Sequence, residues 1–198
     1  SDARALVPRP DSEVVVEAAL RLLPDRPGLS IADLGTGSGC LLVAMLSSRP
    51  DVTGVGIEAD ADAASLAAEN IARHGLEARA SVLASTWKDW QGWQGVDLVI
   101  SNPPYICTDV IPTLEPEVRV HDPGVALDGG KDGLDAYREI ARLARTLLKP
   151  GTPLVLEIGF DQKRAVREIL SAAGLVGVSG GRDLGGNDRV VWANQPDS

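Results

Sequence analysis

The chain has 198 residues, 44% hydrophobic and 24% charged, with a formal net charge of −9. This composition is ordinary for a soluble globular protein, and we predict one domain over residues 1–198. The charge disfavours a broad nucleic-acid-binding surface, because non-specific affinity for phosphates comes mainly from Lys and Arg. The apolar runs are too short to span a bilayer, no signal peptide opens the chain, and two cysteines form neither a disulfide framework nor a zinc site. We therefore expect a cytoplasmic protein.

Strand-like and helix-like segments alternate along the chain. The first helix follows PRPDSE, with Asp11 or Ser12 as its N-cap, and the third is stopped by Gly75. Predicted helices cover residues 14–23, 40–48, 61–74, 133–148 and 162–174. Predicted strands cover residues 29–35, 52–57, 78–84, 96–101, 152–158, 175–180 and 189–193. This alternation predicts an α/β fold, a doubly wound, mostly parallel sheet of seven strands closed by a C-terminal antiparallel hairpin.

The first candidate site is DLGTGSG, which lies between a predicted strand and a predicted helix. Three glycines at alternate positions let the backbone turn tightly and let a ligand approach a helix N-terminus. Their spacing is not the G-x-G-x-x-G of dinucleotide sites, and a plain tight turn is the other interpretation. The candidate cofactor-binding residues here are Asp33, Gly35, Thr36, Gly37, Ser38 and Gly39.

Glu58 ends the next predicted strand, about 20 residues beyond the glycines. A carboxylate at this place can accept hydrogen bonds from both ribose hydroxyls of an adenosine. Alone, Glu58 would more often be a solvated loop acid. Its register with the glycines favours the ribose role.

The second candidate site is SNPPYI, residues 101–106, directly after the apolar run VDLVI. Two prolines remove two backbone donors and restrict two φ angles, and they bias Asn102 toward an extended conformation. The stretch therefore holds one amide side chain and one aromatic ring rigidly at a strand end, where open α/β sheets bind ligands. A proline turn that shapes only the fold is the alternative.

DLGTGSG, an acid ending the second strand and NPPY after the fourth resemble class I methyltransferases that use S-adenosyl-L-methionine on planar amino nitrogens. Together with PRPDSE, HDPGVALDGGKDGLDAYREI, LEIG and RDLGGNDRV, they resemble the protein-(glutamine-N5) methyltransferases of peptide chain release factors. The resemblance covers nearly the whole chain. It implies the class I methyltransferase fold, S-adenosyl-L-methionine as cofactor, and the glutamine of a release factor's Gly-Gly-Gln motif as substrate. The family normally carries an additional N-terminal helical domain, and because this sequence starts just before PRP we expect it to be either a fragment that lacks this domain or a shorter family member.

The resemblance also implies residue roles and marks departures. The family places a residue against the adenine where Trp87 stands. Glu58 and Thr86 occupy positions where the family commonly has Asp, and His121-Asp122-Pro123 replaces a frequent aromatic-Glu-Pro.

For the reaction, we expect Asn102 Oδ1 and the Pro103 carbonyl to accept hydrogen bonds from the substrate NH₂. Pro103 and Pro104 hold these acceptors, and Tyr105 packs against the amide plane. Asn102 thus belongs to both the cofactor and the substrate site. Orientation contributes most of the catalysis, so no metal and no strong general base is required.

Trp87, Trp90 and Trp93 recur every three residues, a spacing that could form a stacking platform for bases. Basic residues are not interleaved with them beyond Lys88, so we expect Trp90 and Trp93 to pack in the core. His74 suits a helix C-terminus. Cys40 and Cys107 are expected to be incidental, and Arg9 either closes the cofactor pocket or is solvated.

Residues 106–132 have no clear period, and a long irregular loop inside a compact domain is usually functional. Its charges are mostly acidic, so we expect it to flank the approach to NPPY, repel phosphates and tolerate a protein loop. Substrate contact by His121 is the less favoured interpretation. The charged residues of this segment are Asp109, Glu115, Glu117, Arg119, Asp122, Asp128, Lys131 and Asp132.

Two alternatives remain at this point. One is an adenine-N6 or other amino-group methyltransferase acting on nucleic acid, which would need a basic face. The other is a binding module that has lost activity, which would show eroded glycines or an eroded NPPY. Both motifs are intact. We expect a monomer that binds release factors and neither membrane nor nucleic acid.

Overall fold

The computed structural model describes residues 4–5, 12–113 and 127–197. Helices α1 to α5 cover Glu13–Leu22, Cys40–Ser48, Ala61–Arg73, Asp135–Leu147 and Lys163–Ala172. Strands β1 to β7 cover Ser30–Leu34, Thr53–Glu58, Ala80–Ala84, Leu98–Ser101, Pro153–Glu157, Val176–Arg182 and Asp188–Asn194. Short 3₁₀ helices at Trp93–Gly95 and Thr108–Thr113 had no sequence signal. Within the described ranges, none of the helices has both the length and the apolar content that a membrane crossing requires.

The seven strands form one sheet in the order β3-β2-β1-β4-β5-β7-β6. Strands β1 to β5 are parallel, and β7 runs antiparallel to both of its neighbours. The predicted doubly wound sheet with a C-terminal antiparallel hairpin is therefore confirmed. The strand order changes direction between β1 and β4, which makes their carboxyl ends the topological switch point where such sheets bind ligands.

Helices cover both faces of the sheet, which is why the central strands are continuous apolar runs. Every residue of β4 and β5 is buried. On one face Leu154 and Leu156 join the cluster of α4 and α5, and on the other Val155 joins the cluster of α1 and α2. Alternate side chains of one strand thus supply both cores.

The ends of two helices test the predictions about capping. Gly75 has a φ of +67° after His74, the C-cap of α3, so the predicted helix end is confirmed. Ser12 is the N-cap residue of α1, as expected, but its side chain makes no capping bond. Ser12 Oγ instead donates to Glu157 Oε2 at the end of β5, 2.8 Å away. A long-range partner has replaced the local one.

Candidate active site

The candidate residues meet at the switch point because the register of three strands brings them to one level. Leu34 pairs with Ile57 on one side and Ser101 on the other. The residues that follow are Gly35, Glu58 and Asn102. Since neighbouring strands lie 4.7–4.9 Å apart, the strand ends carrying Glu58 and Asn102 are separated by about 10 Å, with the glycine loop between them.

The glycine loop adopts a conformation that other residues rarely take. Gly35, Gly37 and Gly39 have φ angles of +65°, +54° and +79°. The N–H groups of Gly35 and Thr36 both donate to the Ile57 carbonyl, at 2.8 and 3.1 Å. Glycine is therefore needed at each of the three positions because each has a positive φ angle. Gly56 lies beneath the loop, where an added Cβ would come within 2.7 Å of Thr36 Cγ2.

Asp33 is the buried acid of this loop, with 1% of its surface exposed. Its Oδ2 accepts from Thr36 Oγ1 at 2.6 Å, and its Oδ1 has no hydrogen-bond partner among the described residues. Burial raises the pKa of Asp33, the hydrogen bond from Thr36 offsets part of this change, and the charge of Glu58 adds to it, so that the pKa moves from 3.8 to about 7. Asp33 is therefore a carboxyl group that titrates near neutrality.

Replacing Asp33 with Asn is expected to flatten the dependence of unfolding free energy on pH. A carboxyl with a pKa of 3.8 when unfolded and about 7 when folded contributes its full stability below pH 3.8 and loses it as pH rises through 7. The loss approaches about 1.4 kcal/mol per pH unit between these values. Urea unfolding from pH 5 to pH 8 should show this slope in the wild type and a smaller one in Asp33→Asn.

Asp51→Asn is the matched control for that experiment. The hydrogen bond from Arg49 lowers the pKa of Asp51 to about 2, so this surface acid stays ionised from pH 5 to pH 8. Its variant should keep the wild-type slope. Equal slopes in all three proteins would contradict a titrating Asp33.

Glu58 joins the glycine loop to the turn that begins α3. Its Oε2 accepts from Gly37 N at 2.8 Å, and its Oε1 accepts from Asp60 N at 3.0 Å. Each carboxylate oxygen has a second lone pair that could accept a ribose hydroxyl. The ribose role stays a prediction, but Glu58 already holds the loop through two main-chain bonds.

Trp87 lies over the start of the glycine loop, where a Cβ added to Gly35 would be 3.4 Å from the edge of its ring. Its Nε1 donates to Glu139 Oε2 on α4 at 2.8 Å, and Lys88 Nζ lies 2.9 Å from Glu139 Oε1. Burial alone would raise the pKa of Glu139, but the hydrogen bonds from Lys88 and Trp87 outweigh it and hold the pKa below 4.5. An ionised carboxylate thus fixes the indole beside the loop.

The other two tryptophans are core residues, as predicted. Trp90 and Trp93 are 7% and 1% exposed, and their ring centroids lie 5.4 Å apart. Trp93 Nε1 also donates to the Trp87 carbonyl at 3.1 Å. Because two of the three rings are buried, these residues do not form a stacking platform for bases.

The NPPY segment continues directly from β4. Ser101 Oγ donates to the Leu34 carbonyl at 2.7 Å and ties the ends of β4 and β1 together. Pro103 is buried, whereas Asn102, Pro104 and Tyr105 are partly exposed. Within the described ranges the Asn102 side chain makes no hydrogen bond, so its amide oxygen keeps its capacity to accept one.

Several predicted positions lie outside the described residues. They are Arg9, Asp11, Glu115, Glu117, Arg119, His121, Asp122 and Pro123. The described ends of the loop carry the 3₁₀ turn already noted and a parallel bridge between Ile106 and Asp128. Thr86 Oγ1 donates to Asp89 Oδ2 at 2.6 Å, which makes it a local turn residue.

Three residues that the sequence did not single out support the candidate groups from a distance. Asn70 on α3 donates to the Ser38 carbonyl at 2.8 Å, and Glu139 holds Trp87. Gln162 donates to the Tyr105 carbonyl at 3.0 Å. All three act across many residues of sequence, so no local motif could have marked them.

Comparison with known proteins shows which family the chain is similar to. The family described as Methyltransferase small domain matches residues 14–111. A release factor glutamine methyltransferase of Caulobacter vibrioides is 49% identical over 186 residues, which cover 94% of this chain and 64% of the relative. Its counterpart in Cereibacter sphaeroides is 46% identical over 191 residues, covering 96% of this chain and 67% of the relative.

Among solved structures, a release factor-specific protein-(glutamine-N5) methyltransferase from Alicyclobacillus acidocaldarius is 28% identical with a TM-score of 0.58. The similarity covers 96% of this chain and 95% of that chain. The chain spans slightly less than two thirds of the Caulobacter relative, 64% of its length.

Proposed function

The chain belongs to the family of release factor glutamine methyltransferases, and from this premise we propose that it methylates the side-chain amide nitrogen of a glutamine in a peptide chain release factor. The methyl donor is S-adenosyl-L-methionine, and the target glutamine is that of the Gly-Gly-Gln motif. One observation carries the proposal: the Asn102 amide, without a hydrogen bond to any described residue, lies at the switch point beside the glycine loop. In this proposal the protein acts as a monomer in the cytoplasm.

The residues around the glycine loop suit this cofactor. Residues 33–39 and Glu58 contain two carboxyl groups, those of Asp33 and Glu58, and no basic side chain. Such acceptors favour ribose hydroxyls and an ammonium group over a pyrophosphate, which would require anion-binding groups. The buried Oδ1 of Asp33, which has no partner in the described part of the chain, is one acceptor, and the lone pairs left on Glu58 are others. When bound, S-adenosyl-L-methionine would supply an electrophilic methyl carbon: its sulfur would keep the electron pair of the broken bond to the methyl group, the demethylated cofactor would be the leaving group, and the methylated amide nitrogen would release one proton to water.

In this proposal Trp87 and the three glycines form the walls of the adenosyl site. Trp87 is already held in place by Glu139, so the ring needs little ordering when the cofactor binds. The remaining candidate cofactor-binding residues of the loop are Asp33, Thr36 and Ser38.

The NPPY residues act on the substrate amide. Its nitrogen is a poor nucleophile because the lone pair is delocalised into the carbonyl. Asn102 Oδ1 and the Pro103 carbonyl accept hydrogen bonds from the two N–H groups of the substrate amide. These bonds point the amide nitrogen at the methyl group and disperse the positive charge that develops on this nitrogen. Pro104 and Tyr105 flank these acceptors.

The proposal is tested with methyl-labelled cofactor and four acceptors: a release factor, tRNA, ribosomal RNA and DNA. Label should appear on the release factor, and mass spectrometry should place one added methyl group on the glutamine of Gly-Gly-Gln. Label on a nucleic acid instead would replace this function with the adenine-N6 alternative.

A further inference from the structure

Gln162, in the turn between β5 and α5, connects three separate segments through its side-chain amide. Nε2 donates to the carbonyl of Tyr105, the last residue of NPPY, at 3.0 Å, and to the carbonyl of Gly133 at 3.2 Å. Oε1 accepts from Gly159 N at 3.0 Å and lies 3.4 Å from the Tyr137 hydroxyl, whose single hydrogen has a shorter contact with the Glu157 carbonyl at 3.0 Å. One side chain thus binds the end of the candidate catalytic segment, the start of α4 and its own turn.

Three of these contacts are with backbone groups, and together they require two donors and one acceptor, which an amide supplies. A glutamine has two N–H donors on nitrogen and an oxygen with two lone pairs, and here each group makes two contacts. Rotating the amide by half a turn would place its oxygen against two carbonyl oxygens and its nitrogen against the Gly159 N–H. The arrangement therefore has one orientation.

The space around the contact is also closed. A Cβ on Gly133, whose φ is +73°, would overlap the Tyr105 carbonyl oxygen and lie 2.8 Å from Gln162 Nε2. A Cβ on Gly129 would lie 2.8 Å from Tyr105 Cα. The Gly129 N–H donates to the Ile106 carbonyl at 2.8 Å, and the Ile106 N–H donates to the Leu127 carbonyl at 3.0 Å. Backbone packs on backbone here, and Gln162 closes the junction.

We propose that Gln162 is a positioning residue for NPPY, holding Tyr105 at the far end of the segment from the Ser101–Leu34 bond. The inference rests on the proposed function for its catalytic consequence. The two prolines restrict rotation inside the segment, and the two flanking hydrogen bonds set where the segment points. Loss of the Gln162 contact leaves Asn102 attached to β4 but removes one hydrogen bond that holds the main chain of Tyr105.

Gln162→Ala is the first test, with Gln195→Ala as the matched control. Gln195 is a buried glutamine whose Nε2 also donates to a main-chain carbonyl, that of Arg145 at 2.9 Å, and it lies at the opposite end of the strands, beside the residue that precedes β5. Gln162→Ala should lower kcat about 10- to 100-fold, because a displacement of about 1 Å can cost that much. Its Kd for S-adenosyl-L-methionine should stay within about twofold of wild type. Gln195→Ala should leave both constants unchanged.

Gln162→Glu separates positioning from general loss of stability. It keeps the size and the acceptors for Gly159 and Tyr137, but an ionised carboxylate would face two carbonyl oxygens, whereas the protonated form can donate to one of them. The kcat of this variant relative to wild type should therefore rise as pH is lowered from 8 to 6. A constant ratio over this range, or equal kcat losses in the two alanine variants, would overturn the proposal.

Hydrogen exchange provides a readout that needs no activity. The amides of Ile106 and Thr108 are hydrogen-bonded just after NPPY, and they should exchange up to about tenfold faster in Gln162→Ala and at the wild-type rate in Gln195→Ala. If the wild-type protein methylates no release factor, the proposed function fails, while these amides still decide the structural role of Gln162. If the exchange rates of these amides are unchanged in Gln162→Ala, Gln162 does not position NPPY.

Discussion

Asn102→Ala is expected to lower kcat for release factor methylation by about 10²–10³-fold, the usual loss when one preorganised hydrogen-bonding group is removed from a reacting centre. The structure explains why the effect should be confined to chemistry. The Asn102 side chain makes no hydrogen bond to a described residue, and the strand end is held by Ser101 Oγ and the Leu34 carbonyl at 2.7 Å. Its removal therefore costs the fold little.

Single-turnover rates measure the expected loss of chemistry, and cofactor titration measures the expected retention of binding. The Kd for S-adenosyl-L-methionine should change by less than about threefold, because the glycine loop and Glu58 are untouched. Asn102→Asp keeps an acceptor oxygen and should retain more turnover than Asn102→Ala. Asn194→Ala is the matched control, since Asn194 is partly buried and pairs with Pro153, the first residue of β5, at the opposite end of the strands from Asn102. Near-wild-type turnover in Asn102→Ala would remove the amide from the mechanism.

The elements of the fold and the two motifs could be predicted because their causes are local. Helix α2 begins and ends at the predicted residues, since the apolar run CLLVAMLSS follows the glycine loop directly. The glycine loop was recognisable because positive φ angles at alternate positions demand glycine wherever they occur. The rigidity of NPPY likewise follows from its prolines alone.

The supporting residues could not be predicted because each depends on a partner far along the chain. The Trp87–Glu139 bond spans 52 positions and the Tyr105–Gln162 bond spans 57. Ser12 shows the same limit at a helix end, where the side chain binds Glu157, 145 residues away, instead of capping α1. Local propensity places a polar residue at such a position, but the tertiary structure decides what it binds.

Glu58→Ala is expected to weaken binding of S-adenosyl-L-methionine by about 1.5–3 kcal/mol, or roughly 10- to 150-fold in Kd. Two losses add up in this variant. The proposed ribose hydrogen bonds disappear, and the Gly37 and Asp60 N–H groups lose the carboxylate that accepts from them at 2.8 and 3.0 Å. Calorimetry with the cofactor or its demethylated product measures the change. Neither wild type nor variant should bind NAD.

Two further variants separate the contribution of the carboxylate from that of the loop conformation. Gly37→Val should prevent binding through the backbone, because a β-branched residue does not tolerate a φ of +54°, although an added Cβ would meet only Ala5 Cβ at 4.0 Å. Asp60→Ala is the matched control: Asp60 is an exposed acid two residues from Glu58 whose carboxylate caps α3 by accepting from Asp62 N and Ala63 N, both at 2.9 Å. Its loss should lower stability by about 1 kcal/mol and leave cofactor affinity unchanged. If Asp60→Ala weakened the cofactor as much as Glu58→Ala, the effect would come from the acidic charge of the turn, and the assignment of the ribose to Glu58 would be wrong.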